Sequence, residues 1–288
     1  MPGRGSRLLR HGNRRRAAAV AFGAGTLALV AGCSAGTTGT TGATGVAKPL
    51  SARTAISLAA DQTQRVNSMA ATFAVQISGN VDETVTGTMQ LRLRPTLLAD
   101  ASLNVTAAGQ KFPLDEILTA KAIYLKSPAF AALAKPGRPW IEIRLSEMSG
   151  SVGRSLGSLL QNVQNGNPAN QTRVLTASKN VHAVGTQVID GVSTTHYAGT
   201  VKASAALAAL SPSLRKQLAP SLKLITGDIR FNAWVDAQHV ARRITESYTV
   251  MGETANVAVN VTAVNQPLHV VRPRASRTTI PPASAFGV

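Results

Sequence analysis

DIRFNAWVDAQHVARRITESYTV, Asp228 to Val250, carries its fold in the alternation of its side chains. Ile229, Phe231, Ala233 and Val235 fall on one side, and Arg230, Asn232 and Asp236 on the other; Ile244, Tyr248 and Val250 then repeat the scheme. A period of two belongs to a strand with one dry face and one wet face.

The same alternation recurs along the chain. Phe73, Val75 and Ile77 oppose Thr72, Ala74, Gln76 and Ser78, and Gly79-Asn80 opens a turn. Met89, Leu91 and Leu93 oppose Gln90, Arg92 and Arg94. Ala101, Leu103 and Val105 oppose Asp100, Ser102 and Asn104. Ile141, Ile143 and Leu145 oppose Glu142 and Arg144, and Val257, Val259 and Val261 close the series. So many period-two segments predict antiparallel strands joined in one extended sheet. Its dry face reads as Val, Ile, Leu, Ala and Met, with few aromatics and no charged side chain. An open sheet of this size twists and curls, so helices, or something that is not protein, must cover that face.

Helical patterns lie between the strands. Leu50 to about Met69 reads as one amphipathic helix, and Val152, Leu156, Leu159, Leu160 and Val163 recur at helical spacing before Asn165-Gly166-Asn167-Pro168. A short helix is expected over Ala169 to Ser178, and another from Ala203 to Leu218, interrupted at Ser211-Pro212. The expected organisation is one α+β domain over residues 50–272, followed by an extended basic, Pro-containing tail over 273–288.

The amino-terminal part is of a different kind. Residues 1–16 hold six arginines and no acid, and 17–31 form an uncharged apolar run of 15 residues. These are the two regions of a secretory signal, and the run is short of the roughly 20 residues that a membrane-spanning helix needs. It ends at Val30-Ala31-Gly32-Cys33, which resembles the lipobox of bacterial lipoproteins; Cys33 is the only cysteine of the 288 residues. That resemblance implies a signal peptide over 1–32, a diacylglyceryl thioether on Cys33, and fatty acylation of the new amino terminus. Two or three acyl chains give a stable anchor where one is marginal. Residues 33–49 then form a Gly/Thr tether, too poor in large side chains to fold. The expected location is the extracytoplasmic face of the cell membrane, lipid-anchored. A lone cysteine also rules out an intramolecular disulfide.

Charge bears on partners. The whole chain carries +17; without the six arginines of residues 1–32 it keeps 24 bases against 13 acids, about +11. Such a surface favours anionic lipids and anionic envelope polymers. Nucleic acid is not expected as a partner, because aromatics are only 4% and the bases are scattered rather than interleaved with stacking residues.

Several segments resemble one family. IYLKSPAF (Ile123–Phe130), KPGRPWIEIRL (Lys135–Leu145), IDGVSTTHYAGTV (Ile189–Val201) and WVDAQHVARRI (Trp234–Ile244) follow the lipobox, tether and first helix. Their order resembles the actinobacterial LppX/LprAFG-type lipoproteins, which are similar in fold to the LolA/LolB lipoprotein carriers. The resemblance implies a strongly curved antiparallel half-barrel whose concave face is covered by helices. It also implies an apolar cavity there for acyl chains, and movement of lipids or glycolipids in the cell envelope. Candidate lining residues are Phe73, Val75, Ile77, Met89, Leu91, Leu93, Leu103 and Val105 from the first strands, with Ile123, Leu125, Ile141 and Ile143 next. Leu156, Leu159, Leu160 and Val163 come from the helix, and Tyr197, Ile229, Phe231, Tyr248, Val250 and Val259 from the later strands. The same apolar set suits a filled core. The alternative function is therefore a non-enzymatic envelope protein that binds wall polymers or a partner protein through its basic surface.

Other motifs have plainer readings. Gly153-Arg154-Ser155-Leu156-Gly157 spells the nucleophile elbow of α/β-hydrolases, with His196, His239, His269, Asp190 and Asp228 available downstream. That elbow needs a parallel sheet around it, and here the serine falls inside a helical pattern among antiparallel strands. No catalytic residue and no cofactor is expected. The histidines are far apart in sequence with no cysteine nearby, so no metal set is expected either. His196 reads as a surface or hydrogen-bonded residue, and Trp140 and Trp234 as packing residues. Arg242-Arg243 and Arg272-Pro273-Arg274 read as a solvated face that lipid headgroups could meet. A monomer is expected.

Overall fold

The computed structural model describes residues 50–63, 65–79, 82–144, 146 and 174–282. Cys33 and the tether, the expected helix from Val152 to Val163 and Ser155 lie outside the described residues.

The first half of the sheet is a meander of β1 (Ser68–Ser78), β2 (Glu83–Arg92), β3 (Leu98–Ala107), β4 (Gln110–Thr119), β5 (Ala122–Lys126) and β6 (Trp140–Arg144). The second half is another, of β7 (His182–Ile189), β8 (Val192–Lys202), β9 (Ile225–Asp236), β10 (Ala241–Val250) and β11 (Glu253–Val264). The long β1–β11 ladder, from Met69↔Val264 to Ser78↔Thr254, joins the two halves. The 12 strands run β12-β6-β5-β4-β3-β2-β1-β11-β10-β9-β8-β7, an open sheet with edges at β7 and β12. All pairings are antiparallel except that of β12 (Thr278–Thr279) with β6, which is parallel. Thr278 and Thr279 are buried, so the sheet continues into the segment that reads as a tail.

Besides the helical residues 174–176, within the helix expected over Ala169 to Ser178, three helices are described: α1 (Ala52–Thr63), α2 (Ala203–Ala209) and α3 (Pro212–Leu222). The Ser51 hydroxyl accepts the Thr54 N–H at 3.1 Å and caps α1. The expectation that this helix runs to Met69 is corrected, since β1 already begins at Ser68. Sheet contacts claim the chain there: the Asn67 N–H donates to Asn265 Oδ1 at 2.8 Å, and its carbonyl accepts Leu93 N–H at 2.8 Å. The break at Ser211-Pro212 falls where expected, between α2 and α3, at a proline pre-set for the first turn of a helix.

Residues paired across strands share a face, so the registers trace one face through the whole sheet. On it Leu103 meets Leu114 and Gly87, Gly87 meets Phe73, Phe73 meets Val259, Val259 meets Ile244, Ile244 meets Ala233, and Ala233 meets Tyr197. The alternation read from the sequence therefore resolves into a single apolar face. The opposite face carries Thr72, Asn260, Arg243, Asn232 and His196. It is not uniformly wet: Ile117, Ala122 and Tyr124 form a small buried cluster there, against Trp140 and Val270.

Asp236 fixes the β9–β10 turn. Its buried carboxylate accepts the Gln238 and Val240 N–H groups at 2.9 and 2.8 Å and the Arg242 Nε–H at 2.7 Å. Asp236→Asn removes the charge that assists all three bonds. The expected cost is about 2 kcal/mol in urea unfolding.

Candidate functional site: the apolar face of the sheet

The apolar face is covered unevenly. Over β1 and β8–β11, α2, α3 and Val174 close a core with Val75, Ile77, Val201, Ile229, Tyr248, Val257 and Val259. Beside it, Ala55, Ile56 and Ala59 of α1 pack with Leu175 on Tyr197, Phe231, Ala233 and Ile244. At the other end a third cluster joins Leu114, Ile123, Leu125, Ile141 and Ile143, with Phe130 and Leu133 of the 3-10 helix Pro128–Leu133 against it. Phe231, Val259 and Ile141 are each at most 1% exposed, so protein already fills the space against them.

Between the buried ends runs a half-buried strip. Phe73, Val85, Met89, Leu91, Leu103 and Leu118 stand on the apolar face of β1–β4 and keep part of their surface open. The predicted lining residues in the described strands thus share one face, with Leu93 just past the end of β2. They divide into a fully buried set and a half-buried set that packs against its edges. Leu156, Leu159, Leu160 and Val163 lie outside the described residues.

The face is also not free of charge, contrary to the sequence reading. Glu246 pairs with Val257 and Phe231, and Glu116 with Ala101 and Leu125, which puts both carboxyls on the apolar side. Glu246 is 6% exposed, and among the described residues no side chain donates a hydrogen bond to it. Burial pushes its carboxyl up to about 7 and raises that of Glu116 as well. Burial, and then the charge of Glu246, pushes the Tyr248 hydroxyl up to about 12. Alternation could have found both acids, since Glu246 falls midway between Ile244 and Tyr248, and Glu116 midway between Leu114 and Leu118.

The residues available to a hydrolase are dispersed. His196 lies on the polar face, its Nε2 2.9 Å from Asn232 Oδ1 and its ring stacked on Trp234 at 4.4 Å. Asp190 and His239 occupy two different turns in left-handed backbone, and Asp228 pairs across the sheet with Lys202. Among the described residues no three His, Cys, Asp or Glu side chains gather as a metal set. No described helix is long and apolar enough to cross a membrane.

No protein-family model and no curated protein matches the chain. Solved structures do. LprF from Mycobacterium bovis is 15% identical with a TM-score of 0.48, covering 77% of this chain and 96% of its own. The lipoprotein LppX from Mycobacterium tuberculosis is 20% identical with a TM-score of 0.46, covering 76% and 98%. A LolA superfamily protein from Nitrosomonas europaea is 10% identical with a TM-score of 0.27, covering 74% and 92%. These are the groups that the sequence segments resemble.

Proposed function

We propose that the protein is an extracytoplasmic lipoprotein, held to the cell membrane through acylated Cys33, that binds lipids or glycolipids on the apolar face of its sheet and transfers them within the envelope. It works as a monomeric carrier, not as an enzyme. The observation that supports this is the half-buried strip of Phe73, Val85, Met89, Leu91, Leu103 and Leu118 between two dry clusters. Each methylene that leaves water for such a surface gains about 0.8 kcal/mol, so an acyl chain laid along the strip is held without any polar contact. Release then requires another apolar phase, which a membrane provides.

Native mass spectrometry of residues 50–288, purified without detergent, is expected to find co-purifying lipid or uptake of added lipid. Leu103→Asp, which puts a charge in the strip, is expected to empty the protein. A domain that stays empty with every envelope lipid tried removes this reading. The competing one, a filled-core protein that holds anionic polymers through its basic surface, draws on the full packing of Phe231, Val259 and Ile141. It requires salt-sensitive polymer binding and no lipid uptake.

A further inference from the structure

The polar face carries a cleft. The β7–β8 turn comes over this face, so that Val188, Ile189 and Asp190 share a cleft of 440 Å³ with Thr72, Arg243, Asn260 and Thr262. Thr72, Asn260 and Arg243 belong to the far side of the sheet from the half-buried strip.

The cleft is built around a fixed cation. The Arg243 guanidinium lies over the Trp234 ring, 5.4 Å from its centroid, and His196 stacks on that ring with an 8° interplanar angle. Trp234 is tied down by its Nε1–H bond to Gln187 Oε1, and His196 by Asn232, whose Nδ2–H donates to Thr245 Oγ1 at 3.1 Å. The rotamer entropy that Arg243 would lose on binding is therefore largely lost already. Yet its Nε is buried without a hydrogen-bond partner, and Asp190 shares the cleft without forming an ion pair to it. The buried Nε is out of a ligand's reach, so it is the rest of the Arg243 side chain, which lines the cleft and is only partly buried, that a bound anion would complete.

The surrounding groups define what completes it. Thr72 Oγ1 accepts the Asn260 Nδ2–H at 3.2 Å, which leaves the Thr72 proton free to donate. The Thr262 hydroxyl and the Asp190 carboxylate add a further donor and acceptor, and Val188 and Ile189 give an apolar wall. We propose that this cleft binds a hydroxylated monoanion, a sugar acid or a polyol phosphodiester, with its charge on Arg243 and its hydroxyls on Thr72, Asn260, Thr262 and Asp190. An arginine fork suits a planar or tetrahedral oxyanion, and Asp190 turns away a second negative charge. Such a group comes either as a free solute or as a lipid headgroup.

Trp234 is one of only two tryptophans, so the full chain carrying Trp140→Phe reports on the cleft by its fluorescence. Glucuronate serves as the free solute and phosphatidylglycerol vesicles as the headgroup, with acetate and glucose as controls. A saturable change with glucuronate identifies a solute site; one with the vesicles alone identifies a headgroup site. In either case Arg243→Gln is expected to weaken binding by at least about tenfold, and Lys111→Gln, which removes one exposed charge elsewhere, leaves it unchanged. Should Arg243→Gln fail to fold, Thr72→Val is expected to lower the preference for glucuronate over acetate. Acetate binding as well as glucuronate, full binding by Arg243→Gln, full preference in Thr72→Val, or no saturable signal from either source overturns the proposal. Each of these outcomes leaves lipid uptake by the apolar face as it was.

Discussion

Glu246→Gln is expected to stabilise the protein at pH 8 by about 3 kcal/mol and to leave it unchanged near pH 4. The carboxyl sits on the apolar face between Val257 and Phe231, and burial alone holds it up to about 7 against an ordinary value of 4.5. Below about pH 4.5 the group is protonated both folded and unfolded, so it costs nothing. As the pH rises toward 7 the unfolded chain releases the proton while the folded chain keeps it, and stability falls. Above about 7 both states are ionised and the loss levels off. Glutamine has nearly the same shape and never ionises, so its advantage grows over that window. Thermal unfolding at the two pH values measures it, as a midpoint raised by roughly 5–10 °C at pH 8 only. A shift of equal size at both pH values would mean that packing, not ionisation, separates the variants. The same window bears on the proposed carrier: the apolar face is fully neutral at Glu246 only on the acid side of about pH 7.

The apolar face was legible because a period of two is a local property of the chain. Phe73, Val75, Ile77, Leu103, Ile229, Phe231 and Val259 all stand on the side that alternation gives them. Alternation is a rule of position rather than a list of apolar residues. Glu246 and Glu116 occupy apolar-face positions by count, and only their charge makes them read as wet. β4 is hard to read in the sequence for a related reason: Pro113, Asp115 and Glu116 interrupt the apolar pattern, although Leu114 and Leu118 keep its period. The end of α1 is a tertiary effect, since the Asn67–Asn265 bond joins residues 198 apart and leaves no trace in the local pattern. The polar cleft was out of reach for the same reason. Arg243 was visible as part of a basic pair, but its meeting with Thr72 and Asp190 depends on four strands and a turn.

Gly87→Ala is expected to cost about 3 kcal/mol or more, with lipid uptake falling alongside stability. Gly87 lies mid-strand in β2, between Phe73 and Leu103 on the apolar face. A Cβ there would stand 2.2 Å from the Ser102 carbonyl oxygen of β3 and 3.1 Å from Leu103 Cα. Neither is the end of a flexible side chain, so no change of rotamer relieves the contact; the β2–β3 pairing itself must open. Glycine at such a place marks a tight bend, where neighbouring backbones approach more closely than a side chain permits. Gly199, further along the face, differs: a Cβ there would meet the side-chain atoms Phe231 Cζ and Ser178 Oγ at 2.9 Å, not backbone. Gly87 stands among the residues of the half-buried strip, where β2 and β3 approach too closely for a side chain. Opening β2 from β3 there flattens the surface that is to hold an acyl chain. Gly185→Ala is the matched control, since its Cβ would meet nothing within 4 Å and it lies on edge strand β7. If Gly87→Ala unfolds at the same urea concentration as Gly185→Ala, the close approach of β2 to β3 is not what shapes this face.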